Sequence, residues 1–126
     1  MMRRILIVDD EPNFANMVKL NLEATGHYEV LTENSGTRAL RTALRYRPDL
    51  VLLDVIMPDR EGPDVMHQFR LDQYAKHIPI VFLTATITKE EVMAHSGFIG
   101  GHAFLAKPGS VRELVDCIEG QLSAMN

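Results

Sequence analysis

The chain has 126 residues and a mass of 14.2 kDa, with 46% apolar residues, which suits one domain spanning residues 1–126 with a core of its own. Thirteen Lys and Arg against 17 Asp and Glu leave a net charge of -4, so the chain offers no general attraction to nucleic acid or anionic lipid. The single cysteine, Cys117, excludes an internal disulfide and points to a reducing compartment, the cytoplasm, and no apolar run has the length of a membrane span or signal peptide.

In chain order, Ile5–Val8 is the first predicted strand, a continuous apolar run of the kind covered on both faces. A helix follows, entered through Glu11-Pro12, carrying the stripe Phe14, Met17, Val18 and Leu22, and closed by Thr25-Gly26. Tyr28–Thr32 reads as a strand whose Glu29 suits an edge. The next helix shows Ala39, Leu40, Ala43 and Leu44 on one face. Leu50–Leu53 is the third strand, and Val65, Met66 and Phe69 mark a helix after Gly62. Ile80–Leu83 is the fourth strand, Lys89–Ser96 a weakly patterned helix, Ala103–Ala106 the fifth strand, and Val111, Leu114, Val115, Ile118 and Leu122 the last helix. Regular alternation implies right-handed crossovers and an α/β, flavodoxin-like, doubly wound parallel sheet of five strands in the order 2-1-3-4-5 with five helices. Ligands of such sheets lie beyond the carboxyl ends of the strands.

Those strand ends carry chemistry. Asp9, Asp10 and Glu11 follow the first strand, and Asp54 closes the third, its neighbour in the expected order. Carboxylates brought so close repel one another unless a cation sits among them. Oxygen ligands without His or Cys favour a hard ion, Mg2+, with Mn2+ as an alternative. Thr84 ends the fourth strand and Lys107 the fifth, supplying a hydroxyl and an ammonium. An aspartate nucleophile, a cation and donors for phosphoryl oxygens are the parts of a phosphoryl transfer site.

With Ile7-Val8-Asp9-Asp10-Glu11, Leu53-Asp54-Val55-Ile56-Met57-Pro58 with Gly62, Leu83-Thr84-Ala85, Gly100-Gly101 and Phe104-Leu105-Ala106-Lys107-Pro108 in order, the chain resembles the receiver domains of two-component response regulators. The resemblance implies that Asp54 accepts phosphate from the phosphohistidine of a sensor histidine kinase or a histidine phosphotransfer protein. It implies that Asp10, Asp54 and the carbonyl of Ile56 hold Mg2+, with Asp9 acting indirectly. Thr84 and Lys107 would sense the phosphate, Lys107-Pro108 would be a cis peptide, and Phe104 would turn inward as Thr84 moves. Ile56 and Thr86 occupy positions that set access of hydrolytic water. The surface of the fourth and fifth helices and fifth strand would meet an output domain or protein, or a second copy in a homodimer. Such a domain is a signalling switch rather than an enzyme.

Simpler readings stand beside these. Asp9-Asp10-Glu11 could merely cap a helix. Arg38, Arg41, Arg45 and Arg47 read as a solvated face, the five histidines as surface or loop residues, Cys117 as a partly buried filler, and the methionines as mostly core. Rival functions are a flavodoxin-like electron carrier, disfavoured by the acidic first loop and absence of Trp, and a haloacid-dehalogenase-like phosphatase, disfavoured by adjacent aspartates where Asp-x-Asp is needed. A phosphorylation-silent binding module would not need Asp54, Thr84 and Lys107 together.

Overall fold

The computed structural model describes residues 2–85, 98–99, 102–107 and 109–124. Its strands are β1 (Arg3–Val8), β2 (Tyr28–Glu33), β3 (Leu50–Asp54), β4 (Ile80–Thr84), β5 (Phe98–Ile99) and β6 (His102–Ala106). Its helices are α1 (Pro12–Ala24), α2 (Ala39–Tyr46), α3 (Gly62–Leu71) and α4 (Val111–Ala124), with short 3-10 turns at Gly36–Arg38 and Ala75–His77. The five predicted strands pair in parallel in the predicted order, β2-β1-β3-β4-β6. The structure adds β5, two residues antiparallel to β6 at the sheet edge, too short to leave a period in the sequence. The predicted helix Lys89–Ser96, Thr86, Gly100-Gly101 and the Lys107-Pro108 peptide fall outside the described residues or reach beyond them. Among the described residues no helix is long and apolar enough to cross a membrane.

Both faces of the sheet are covered, which explains why the strands read as unbroken apolar runs. Ile5 and Ile7 of β1 join Ala15, Val18 and Leu22 of α1 and Leu114, Ile118 and Leu122 of α4 on one side. Leu6 and Val8 join Ala39 and Ala43 of α2 and Val65, Met66 and Phe69 of α3 on the other. The apolar stripe of α1 is Ala15, Val18 and Leu22, flanked by Phe14; Met17, expected on it, is exposed. Periodicity alone does not separate adjacent positions when both are apolar. Met57 and Met66 are buried while Met2 is exposed, so the methionines divide between core and surface. Cys117 is partly buried as expected, and burial raises its thiol pKa.

β2 forms one edge of the sheet, as Glu29 suggested. An edge strand offers backbone groups to any other chain. Here α1 occupies those of Val30: Lys19 Nζ donates to the Val30 carbonyl at 2.6 Å, and the Val30 N–H donates to Glu23 Oε2 at 3.1 Å. The two side chains also pair with each other at 3.2 Å. Replacing both by alanine is expected to lower stability by about 1 kcal/mol, the typical net worth of such bonds, and to promote self-association along the edge. Sedimentation velocity over a concentration series checks this. A double variant as stable as its parent, and sedimenting identically, would show that the edge needs no such cover.

Candidate functional site

The strand register builds the site. Val8 lies opposite Leu53, Asp54 opposite Leu83, and Thr84 opposite Ala106, so residues ending these four strands arrive at one rim. Asp9 is fully buried there, Asp54 is 5% exposed and Thr84 2% exposed, while Asp10 is half-buried. Asp9 Oδ1 accepts the Glu11 N–H at 2.9 Å, and Asn34 Nδ2 donates to the Asp9 carbonyl at 2.9 Å. One carboxylate oxygen from each of Asp9, Asp10 and Asp54 lies within 4.8 Å of the others.

Lys107 reaches this group from the end of β6. Its Nζ stands 2.6 Å from Asp9 Oδ2, 3.2 Å from Glu11 Oε1 and 3.5 Å from Asp54 Oδ1, with the side chain only 6% exposed. Its own N–H donates to the Thr84 carbonyl at 2.8 Å, locking the end of β6 to the end of β4. The ring of Phe14 lies beneath the ammonium, 4.5 Å from centroid to Nζ. A cavity of about 210 Å³ opens beside these groups, lined by Asp10, Glu11, Asp54, Ile56, Thr84 and Lys107.

Charge is unbalanced among the described residues, where Asp9, Asp10, Glu11 and Asp54 gather about the ammonium of Lys107. Burial, reinforced by the charge of Asp9, pushes the Asp54 carboxyl up to about 6 despite the attraction of Lys107. Burial also raises Asp9 above the ordinary range, against the Lys107 hydrogen bond and the Glu11 N–H. Burial works against the Lys107 ammonium, yet the bond to Asp9 and the charges of Asp9 and Asp54 outweigh it and raise its pKa. Groups displaced this way in a cleft mark a site suited to receiving positive charge or a reactive group. The fit to a cation rests on the donor set: clustered carboxylate oxygens, without nitrogen or sulfur, suit a hard divalent ion.

The capping alternative is not what forms. Glu11 is the N-cap of α1 and makes no capping side-chain bond; Pro12 starts the helix without needing one. Glu11, one of the carboxylates after the first strand, instead turns to Lys107, a contact that sequence reasoning missed, as it missed Phe14 as a site neighbour. A glutamate at a position where Ser, Thr, Asp or Asn cap better was the available signal for Glu11; Phe14 carried none, because it reads as core.

The loop after β3 is held tightly against the site. The Gly62 N–H donates to the Val55 carbonyl at 2.8 Å, and a β-carbon on Gly62 would stand 2.4 Å from the Asp54 carbonyl oxygen. Only glycine permits that approach. Asp59 fastens the same loop to the one after β2, accepting from Ser35 Oγ at 2.6 Å and from the Thr37 N–H at 3.1 Å. Ile56 is 57% exposed at the mouth of the cavity. Phe104 is half-buried against Phe82, ring centroids 5.1 Å apart, and does not line the cavity. Arg38, Arg41 and Arg45 are exposed, Arg38 pairing with Glu33 at 3.3 Å, and His27, His67, His77 and His102 are exposed as well; His95 lies outside the described residues.

Comparison with known proteins gives a consistent pattern. The model of the response regulator receiver domain matches residues 5–119. The probable transcriptional regulatory protein TcrX of Mycobacterium tuberculosis is 39% identical over 111 residues, covering 88% of this chain and 46% of TcrX. The chain thus spans about half the length of the first curated relatives it matches. Chemotaxis protein CheY4 of Vibrio cholerae superposes with a TM-score of 0.80 at 30% identity, covering 96% of this chain and 99% of that one. The receiver domain of sensor histidine kinase PA1611 from Pseudomonas aeruginosa, solved with a magnesium ion coordinated in its active site cleft, gives a TM-score of 0.81 at 27% identity, covering 98% and 99%.

Proposed function

This chain belongs to the response regulator receiver domain family, and from that premise we propose that it is a phosphorelay switch whose phosphoacceptor is Asp54. One observation carries the reading: a buried Asp54 carboxylate at an open cavity, with Asp9 and Asp10 beside it and an ammonium 3.5 Å from Oδ1. The donor would be the phosphohistidine of a sensor histidine kinase or histidine phosphotransfer protein. A carboxylate oxygen of Asp54 forms the bond to phosphorus as the phosphorus–nitrogen bond breaks; the nitrogen keeps that electron pair, the proton on the other ring nitrogen makes the departing imidazole neutral, and an acyl phosphate remains on Asp54. Mg2+, held by Asp10, Asp54 and the Ile56 carbonyl with Asp9 acting indirectly, would neutralise charge on the transferred group, as the magnesium in the PA1611 cleft suggests.

The switch follows from the residues. The phosphoryl group brings up to about two negative charges in place of the one carboxylate charge it consumes, a net gain of about one, and adds strong acceptors at Asp54. Lys107, now shared among Asp9, Glu11 and Asp54, is drawn to the phosphoryl oxygens, and the Thr84 hydroxyl donates to another. Both residues end strands next to Phe104 and Phe82, so their movement biases the packing of Phe104. The surface of β6 and α4 would then change its affinity for an output domain or protein, or for a second copy; the predicted helix Lys89–Ser96, expected to share in it, lies outside the described residues. This reading places the chain in the cytoplasm, with no direct contact to nucleic acid or membrane.

Intact-mass spectrometry after incubation with acetyl phosphate, with and without Mg2+, tests the chemistry. One phosphoryl adduct is expected on the native protein with Mg2+, and none on Asp54→Asn or without the ion. An adduct on Asp54→Asn would move the acceptor elsewhere. Failure of both acetyl phosphate and a histidine kinase to label the native protein would leave a binding module.

A further inference from the structure

A second cleft is larger than the acidic one. A cavity of about 480 Å³ opens at the opposite end of the sheet, where β1, β3 and β4 begin. Its walls are mostly apolar, from Ala43, Leu44, Pro48, Ile78, Pro79 and Leu122. This size and lining match pockets that hold small molecules.

Two cations line it, Arg3 and Arg47. Among the described residues neither makes an ion pair. The lining also holds one carboxylate, Asp49, whose Oδ2 accepts the backbone N–H of Arg4 at 2.8 Å, so the two guanidinium charges exceed it by one. Arg47 is fixed in place, its guanidinium 4.3 Å above the Tyr74 ring and donating through Nη1 to the Tyr74 hydroxyl.

The backbone of Arg47 adds a separate observation. It ends α2 in the left-handed region, with φ 57°, and is the only non-glycine residue with positive φ among those described. Glycine takes this conformation freely and a residue with a β-carbon resists it. Strain kept at a residue whose side chain is held over a cleft points to use of that side chain. Arg47 is exposed, as the end of a solvated arginine face should be, and the fold also sets it at the rim of a cavity.

We propose that this cleft binds a small aromatic carboxylate, its apolar body against Leu44, Ile78 and Pro79 and its charge toward Arg47 and Arg3. The net charge of the chain is -4, so two arginines without carboxylate partners make a local exception that selects an anion. A planar guanidinium recognises a carboxylate through paired bonds.

The test uses 2-naphthoate and its uncharged analogue 2-naphthalenemethanol, followed by calorimetry and by amide chemical shifts. Naphthoate is expected to saturate, with the largest shifts at Leu44, Asp49 and Ile78. The uncharged analogue is expected to bind at least about fivefold more weakly, and Arg47→Gly, which suits the backbone, to bind naphthoate about tenfold more weakly. Lack of saturation at millimolar naphthoate, shifts centred on the acidic pocket, or equal affinity for the analogue or the variant would each overturn the proposal.

Discussion

In cation-free buffer, Asp54→Asn is expected to raise the unfolding free energy at neutral pH by about 2 kcal/mol and to change it little near pH 4. The folded protein raises the Asp54 carboxyl from 3.8 to about 6, first through burial and then through Asp9. A group with a raised folded pKa contributes its stability below the unfolded value and loses it as pH rises through the folded one. The window is therefore between 3.8 and about 6. Two pKa units correspond to a ceiling of about 3 kcal/mol, with the attraction of Lys107 already counted in the raised value. Asparagine resembles the protonated acid in shape and charge, so it escapes the penalty at higher pH. Urea unfolding of both proteins with chelator, at several pH values, measures this. A gain equal at every pH would be packing rather than charge, and a loss at neutral pH would mean that Lys107 holds the Asp54 charge favourably. Added Mg2+ should stabilise the native protein more than the variant, because a ligand stabilises only the state that binds it.

The parallel order was legible in the sequence because Ile5 to Val8, Leu50 to Leu53 and Ile80 to Leu83 are short apolar runs that alternate with helical stripes, as strands covered on both faces do, while Glu29 marks the second strand as an edge. Once the order is known, Asp9, Asp10, Asp54, Thr84 and Lys107 meet as a geometric consequence of parallel strands ending at one rim. What the residues do to one another was not legible. The division of Lys107 between Asp9, Glu11 and Asp54 depends on distances of a few ångströms, and the Phe14 ring beneath it looks like any core aromatic. The Lys19 and Glu23 cover on Val30 reads as an ordinary helical ion pair until the edge strand is placed beside it. Arg47 is exposed as its place in the arginine face suggests, but no local pattern announces a left-handed turn at arginine.

Removing the ammonium is expected to have the opposite effect to removing the acceptor carboxylate, and a larger one. Lys107→Met keeps the length of the stem and its contact with Phe14 but leaves Asp9, fully buried, with the Glu11 N–H, and Asp54 without a countercharge. Breaking a buried pair from one side costs about 3 kcal/mol or more at neutral pH, because the remaining charge stays desolvated. The variant must then hold its carboxyls protonated more strongly when folded than when unfolded. Its deficit is therefore expected to grow as pH rises through the raised pKa values and to shrink toward pH 4, a sign set by the same linkage that governs Asp54. Asp9→Asn on the Lys107→Met background should restore much of the loss, giving a coupling energy on the order of 2 kcal/mol in a double-mutant cycle. A deficit independent of pH, with no rescue by Asp9→Asn, would assign Lys107 a packing role over Phe14. A deficit that follows pH and is rescued would make the ammonium the counterweight that lets three carboxylates share one rim, and hence the group that a new phosphoryl charge must draw away from Asp9.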